Sequence, residues 1–208
     1  GAFLPDGRLL VTERPGRMRL IGRDGRVSEP LSGVPRVETG GQGGLLDVAL
    51  APDFARMREV FFCHSVLLSE GAATRLVRAR LAGNDSGLEA VTPILDATPA
   101  QSSGRNHYGC RIAFGPDGAL FLSTGDRFNT KMRAQRLDDL AGKVLRVSRD
   151  GAPFADNPFV GRAGARPEIW TLGHRNPQGL AFNPRTGSLW ENEFGARGGD
   201  EVNVLRPG

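Results

Sequence analysis

One short phrase recurs four times along the chain: Ala2-Phe3-Leu4-Pro5-Asp6-Gly7, Ala49-Leu50-Ala51-Pro52-Asp53, Ala113-Phe114-Gly115-Pro116-Asp117-Gly118, and Ala181-Phe182-Asn183-Pro184 with Gly187 behind it. Each copy is an apolar strand running into a proline turn, and a second apolar stretch follows each turn, at residues 8–12, 59–63, 119–123 and 188–190. The phrase therefore predicts four β-hairpins. Its alanines recur at intervals of 47, 64 and 68 residues, the span of a four-stranded propeller blade with loops of variable length. A sandwich uses the same hairpins but has no reason to repeat a phrase at blade-like intervals.

Arg17–Ile21 and the stretches 75–81 and 143–147 add strands that alternate apolar and polar residues, which predicts one buried face per sheet. With 29 Gly and 14 Pro in 208 residues, turns are too frequent for a helical bundle. The expected architecture is all-β, a single β-propeller domain over residues 1–208 with three blades and the start of a fourth. Propellers close with four to eight blades, so the domain is expected to be incomplete. The ends agree: the chain opens inside a strand-and-turn pattern without an initiator Met or signal peptide, and stops where a strand would meet a turn.

Composition narrows the function. A 39% hydrophobic fraction and a net charge of +4 exclude intrinsic disorder, and no apolar run approaches the roughly 18 residues of a membrane span. The basic residues, all Arg except Lys131 and Lys143, are scattered singly from Arg8 to Arg206 without a block or stripe. Tyr108 is the one Tyr, and Trp170 and Trp190 the two Trp, so no aromatic stacking surface is interleaved with the arginines and nucleic acid is not an expected partner. Cys63 and Cys110 have neither the spacing of a metal site nor a disulfide framework and read as small buried apolar residues.

Three loops carry candidate chemistry, since loops at one end of the blades converge on a propeller axis. In Gly40-Gly41-Gln42-Gly43-Gly44, glycines allow close backbone approach to a ligand held by Gln42; a flexible connector is the alternative. In Arg105-Asn106-His107-Tyr108-Gly109-Cys110, His107 precedes a hairpin and Asp126 follows its second strand. This pairs a base with a carboxylate that orients it; a structural histidine is the alternative. His64 lies in an apolar strand and is explained by packing. In Gly173-His174-Arg175-Asn176-Pro177-Gln178, Arg175 offers a planar fork of donors and Asn176 both donates and accepts. The acidic, glycine-rich stretch 191–201 suits an oxygen-liganded cation such as calcium.

The stretches G-G-Q-G-G-L-L-D-V-A-L-A-P-D-F, H-Y-G-C-R-I-A-F-G-P-D-G, L-G-H-R-N-P-Q-G-L-A-F and E-N-E-F-G-A-R-G-G-D-E-V-N together resemble the soluble PQQ-dependent aldose sugar dehydrogenases, the glucose/sorbosone dehydrogenase family. The resemblance implies a six-bladed propeller, usually periplasmic or secreted, of which this chain covers the first three and a half blades. It implies oxidation of the anomeric carbon of aldoses by hydride transfer to pyrroloquinoline quinone (PQQ), with an external electron acceptor and calcium at the ring centre. Carried onto this sequence, it makes His107 the general base, Asp126 its supporting carboxylate, and Gln42, Arg175 and Asn176 the cofactor contacts. Arg175 would also stabilise charge on the quinone oxygen. The backbone carbonyls of Gly195 and Ala196 become the ligands of the catalytic calcium, although the family commonly has Pro at Ala196 and His at Phe194. Glu201 would serve a second calcium whose Tyr partner would fall at position 211, outside the sequence. Cys110 stands where Gly is usual and is expected to crowd the pocket. Two copies completing one ring, a non-catalytic propeller used as a binding module, and a calcium-dependent lactone hydrolase on a related propeller are the competing readings.

Overall fold

The computed structural model describes residues 1–208 as four antiparallel sheets, each a meander in which sequence neighbours pair. The first sheet holds β1 (Ala2–Phe3), β2 (Leu9–Glu13) and β3 (Arg17–Ile21). The second holds β4 (Leu45–Leu50), β5 (Glu59–Leu68), β6 (Gly71–Leu81) and β7 (Leu88–Asp96). The third holds β8 (Gly109–Phe114), β9 (Leu120–Thr124), β10 (Lys143–Val147) and β11 (Ile169–Leu172), and the fourth β12 (Pro177–Phe182), β13 (Leu189–Glu193) and β14 (Glu201–Leu205). These are propeller blades, two of four strands flanked by two of three.

The recurring phrase makes the hairpin turns by one mechanism. Asp6 and Asp117 each accept the backbone N–H two residues on, at 3.0 and 3.1 Å. Gly7 and Gly118 close the turns at φ +86° and +79°, a left-handed conformation that favours glycine. The second copy has no glycine there; its Pro52-Asp53 leads instead into the single-turn helix α1 (Phe54–Met57), and Arg58 takes the left-handed position at φ +55°.

Strand periodicity builds the core between sheets. Successive side chains of a strand point to opposite faces, so β5 sends Val60 and Phe62 toward the first sheet and Phe61 and Cys63 toward the third. Strand β9 divides likewise, with Leu120 and Leu122 facing the second sheet and Phe121, together with Ala119 just before the strand, the fourth. Each fully buried Leu or Phe contributes roughly 1.5–3 kcal/mol relative to exposure.

Two expectations are corrected here. One buried face per sheet is wrong for the middle of the molecule, because sheets stacked face to face cover both sides of the strands between them. All five residues of β10 are buried. Its charged members are accommodated individually: Lys143 Nζ donates to the carbonyls of Arg133, Ala134 and Ala141 at 2.9, 3.1 and 2.6 Å. Arg146 is paired with Asp117 and Asp156 at 2.8 and 2.7 Å. The second correction concerns the cysteines. Cys63 on β5 and Cys110 on β8 form a disulfide with Cα atoms 5.9 Å apart, joining the second sheet to the third. They are buried, as expected, but as a covalent bridge; two cysteines 47 residues apart carry no local spacing signal from which pairing can be read. His64, by contrast, is the packed strand residue expected, 1% exposed on β5, with burial lowering its pKa.

Candidate active site

His107 sits on the segment entering β8, and its backbone is unusual. His107 and Cys110 lie at φ +49° and +77°, with Gly104 and Gly109 also left-handed. Non-glycine residues hold this conformation at an energetic cost when surroundings over-determine it, and here segments of the second and fourth sheets do so. The His107 N–H donates to Gln42 Oε1 at 2.8 Å, from the loop before β4. Thr74 Oγ1 on β6 donates to the Tyr108 carbonyl at 2.8 Å, and the Gly109 N–H donates to Asn176 Oδ1 at 3.2 Å. The disulfide anchors Cys110. Gly109 is required by space as well as by φ, since a Cβ there would lie 2.7 Å from backbone atoms of Thr124 and Gly125.

The imidazole is oriented by Asp126, which follows β9. His107 Nδ1 lies 2.7 Å from Asp126 Oδ1, with both side chains 6% exposed. An ionised carboxylate only accepts hydrogen bonds, so Nδ1 carries the proton and Nε2 presents a lone pair. Oδ1 also accepts the Phe128 N–H at 2.7 Å, and the Phe128 ring meets the imidazole edge-on at a centroid distance of 5.0 Å. Nε2 makes no hydrogen bond within the chain and keeps access to solvent.

Arg175 and Asn176 occupy the loop before β12. The Arg175 carbonyl accepts the Asp126 N–H at 2.8 Å, so this loop touches the His107–Asp126 couple directly. Arg175 Nη1 donates to the Phe194 carbonyl at 2.7 Å, leaving the rest of its guanidinium unbonded. Asn176 Oδ1 accepts from Gly109 and, at 3.1 Å, from Gln178 Nε2. A cavity of about 210 Å³ collects Gln42, Tyr108, Gly109, Asn176, Gln178 and Phe194. Gln42 and Asn176 line it, His107 and Arg175 are hydrogen-bonded neighbours of its lining, and Asp126 bonds to both of those neighbours behind them. A larger cavity of about 730 Å³ lies elsewhere, beside β7, where Arg78 and Arg80 are already paired with carboxylates.

Gln178 and Glu193 are the residues sequence reasoning did not single out. Asn176 and Gln178 are two apart at a strand start and so share a face, a signal available in the motif. Glu193, at the end of β13, accepts the backbone N–H groups of Arg175 and Asn176 on one oxygen. Behind it lies a buried cluster in which His174 Nδ1 is 3.5 Å from Glu191 and 3.8 Å from Glu193. Burial opposes the imidazolium, but the bonds and charges of the two glutamates outweigh it and raise the His174 pKa.

The expected metal ligands share the segment after β13. A Cβ on Gly195 would collide with the Gly199 carbonyl at 1.7 Å, so this tight turn requires glycine. The Ala196 carbonyl accepts the Gly199 N–H at 3.1 Å, whereas the Gly195 carbonyl accepts no hydrogen bond. Glu201 is separate from these carbonyls, opening β14 and lining a cavity of about 450 Å³ with Glu193, Phe194 and Asp200.

A family model described as "Glucose / Sorbosone dehydrogenase" matches residues 2–208. The chain belongs to the glucose/sorbosone dehydrogenase family. It is 44% identical over its whole length to aldose sugar dehydrogenase YliI of Escherichia coli (strain K12), covering 56% of that protein. Over 98% of the chain it is 29% identical to quinoprotein glucose dehydrogenase B of Acinetobacter calcoaceticus, covering 47% of that protein. Among solved structures, the apo-form of the soluble E. coli aldose sugar dehydrogenase superposes with a TM-score of 0.94 at 43% identity, over 99% of this chain and 59% of that one. The PQQ-bound aldose sugar dehydrogenase of Streptomyces coelicolor superposes at 0.85 with 35% identity, over 99% of this chain and 58% of that one. The chain thus spans about half the length of the curated relatives it matches.

Proposed function

We propose that residues 1–208 form one propeller domain carrying the base and part of the cofactor site of a PQQ-dependent dehydrogenase that oxidises the anomeric carbon of aldoses to lactones and passes electrons to an external acceptor. One pattern carries this reading. Each expected functional side chain uses one polar end on the protein and leaves the other free. Gln42 Oε1 and Asn176 Oδ1 take backbone N–H groups while their amide nitrogens make no bond. Arg175 uses one nitrogen on Phe194, and His107 uses Nδ1 on Asp126. Side chains spent on folding would be satisfied at both ends.

These groups fit PQQ, whose carboxylates and quinone oxygens need donors. Gln42, Asn176 and Arg175 would hold it, and Phe194, 55% exposed, offers an aromatic face nearby. The Gly195 carbonyl, with no donor of its own, fits an oxygen-liganded calcium, with the Ala196 carbonyl beside it in the same turn, while Glu201 would serve a second calcium. PQQ, when bound, supplies the two-electron oxidising capacity. His107 Nε2 takes the proton of the sugar hydroxyl, and Asp126 holds the ring in the tautomer that leaves Nε2 basic and stabilises the imidazolium once formed. The backbone clamp at Gln42, Thr74 and Asn176 keeps Nε2 in place during this transfer. A periplasmic or secreted location is supported by the Cys63–Cys110 disulfide, which persists in oxidising compartments.

The test is dye reduction by the purified chain with glucose, PQQ and calcium against a control without PQQ, together with PQQ titration followed by its absorbance. PQQ binding that weakens in Asn176→Ala is expected. A chain that shows neither saturable PQQ binding nor PQQ-dependent turnover would overturn the reading in favour of a non-catalytic binding module.

A further inference from the structure

We propose that Glu193 is a positioning residue of the cofactor site, fixing Arg175 and Asn176 by taking both of their backbone N–H groups on a single carboxylate oxygen. This rests on the cofactor reading above. Glu193 is 8% exposed at the end of β13, where its Cα is paired with that of Pro177. Pro177 has no N–H, and the register shifts between Pro177 and Gly179, so the ladder that would otherwise absorb the preceding backbone donors is interrupted here. The Arg175 and Asn176 N–H groups instead converge on Glu193 Oε2, the latter at 2.8 Å.

The consequences run in two directions. The opposite side of the same peptide segment holds the catalytic couple, because the Arg175 carbonyl accepts the Asp126 N–H at 2.8 Å and Asn176 Oδ1 accepts the Gly109 N–H at 3.2 Å. The strand end that carries Glu193 continues through Phe194, whose carbonyl receives Arg175 Nη1 at 2.7 Å, to Gly195 and Ala196. One carboxylate therefore sets the distance between the cofactor-holding dipeptide and the loop expected to hold calcium. Glu193 also faces His174, 3.8 Å away, and a role as one partner of that buried ion pair is the competing explanation.

Reach and charge separate the two explanations. Glu193→Gln keeps an oxygen at the same reach, able to accept both N–H groups, and removes the charge. Glu193→Asp keeps the charge and withdraws the oxygen by one methylene. Positioning predicts that Glu193→Gln binds PQQ within about threefold of the parent chain, whereas Glu193→Asp loses about tenfold or more, in the range typical of displaced outer-shell partners. Amide hydrogen exchange at Arg175 and Asn176, read by NMR without cofactor, is expected to stay slow in Glu193→Gln and to accelerate in Glu193→Asp. The opposite order, with Glu193→Gln impaired and Glu193→Asp intact, would assign the residue to the ion pair and overturn the proposal, as would two variants indistinguishable from the parent. A parent chain that does not bind PQQ would sink the cofactor reading, while the exchange data would still decide whether Glu193 fixes this backbone.

Discussion

Replacing both Cys63 and Cys110 by Ala tests the covalent link between the second and third sheets. The bridge closes a loop of 47 residues, and constraining a loop of that length in the unfolded chain stabilises the fold by about 4 kcal/mol in the chain-entropy model. Both cysteines belong to the same cluster of 15 buried residues as Phe61, Leu76, Leu122 and Leu145, so the double variant also loses some packing, but the bridge is the larger part of the joint loss. With a urea slope of about 2 kcal/mol/M, the unfolding midpoint should fall by about 2 M. Trp170 and Trp190 supply the fluorescence signal, and addition of reductant to the parent chain should reproduce most of the shift without altering side-chain volume. Thiol titration in denaturant gives the direct count: no reactive thiol before reduction and two after. Two reactive thiols in the unreduced, denatured chain would show that the bridge does not form, and an unchanged midpoint in the double variant would refute the stability argument even if it does.

Two further outcomes follow from buried charge. In Asp126→Asn the Phe128 N–H should hold the amide oxygen toward His107, so the tautomer persists and what disappears is the carboxylate charge; at about 4 Å and an effective dielectric of 20 this is worth about 4 kcal/mol, or about a thousandfold in kcat. PQQ affinity should be unchanged, and a loss in kcat below about tenfold would remove Asp126 from the catalytic role. Lys143 is pushed down by burial from 10.5 to about 8. Between those values the unfolded chain binds the proton and the folded chain does not, so stability should rise with pH across that window, and the gain should fade as pH falls through about 8. Unfolding free energies of the parent and of Lys143→Gln from urea titrations at pH 7 to 11 should diverge by an amount on the order of 2 kcal/mol, and parallel curves would show that Lys143 keeps its ordinary affinity for the proton.

What could be read from the sequence depended on whether a residue's partner also leaves a trace there. Hairpin turns do, because Asp6, Gly7, Asp117 and Gly118 act on backbone within a few residues of themselves. Strand β7 was not anticipated, because Pro93 and the exposed Glu89, Ala90 and Thr92 disguise it; it is an outer strand of its sheet, where proline is tolerated. The two-sided burial of β10 was missed because Lys143 and Arg146 look solvent-facing, and only carbonyls and carboxylates brought from other segments make their burial possible. The same distinction divides the candidate site. His107, Asp126, Gln42, Arg175 and Asn176 could be singled out because, on the proposed function, each would need a particular side-chain atom for the ligand or, for Asp126, for the imidazole, which restricts residue type within a recognisable phrase. Glu193 acts on N–H groups that almost any residue supplies, so its role depends on where the chain turns, and becomes visible only when β13 is set beside Pro177. Backbone-directed carboxylates that end strands next to such loops are therefore where positioning residues should be sought in chains of this architecture, and the contrast between Gln and Asp at position 193 measures how much of the site's precision such a residue supplies.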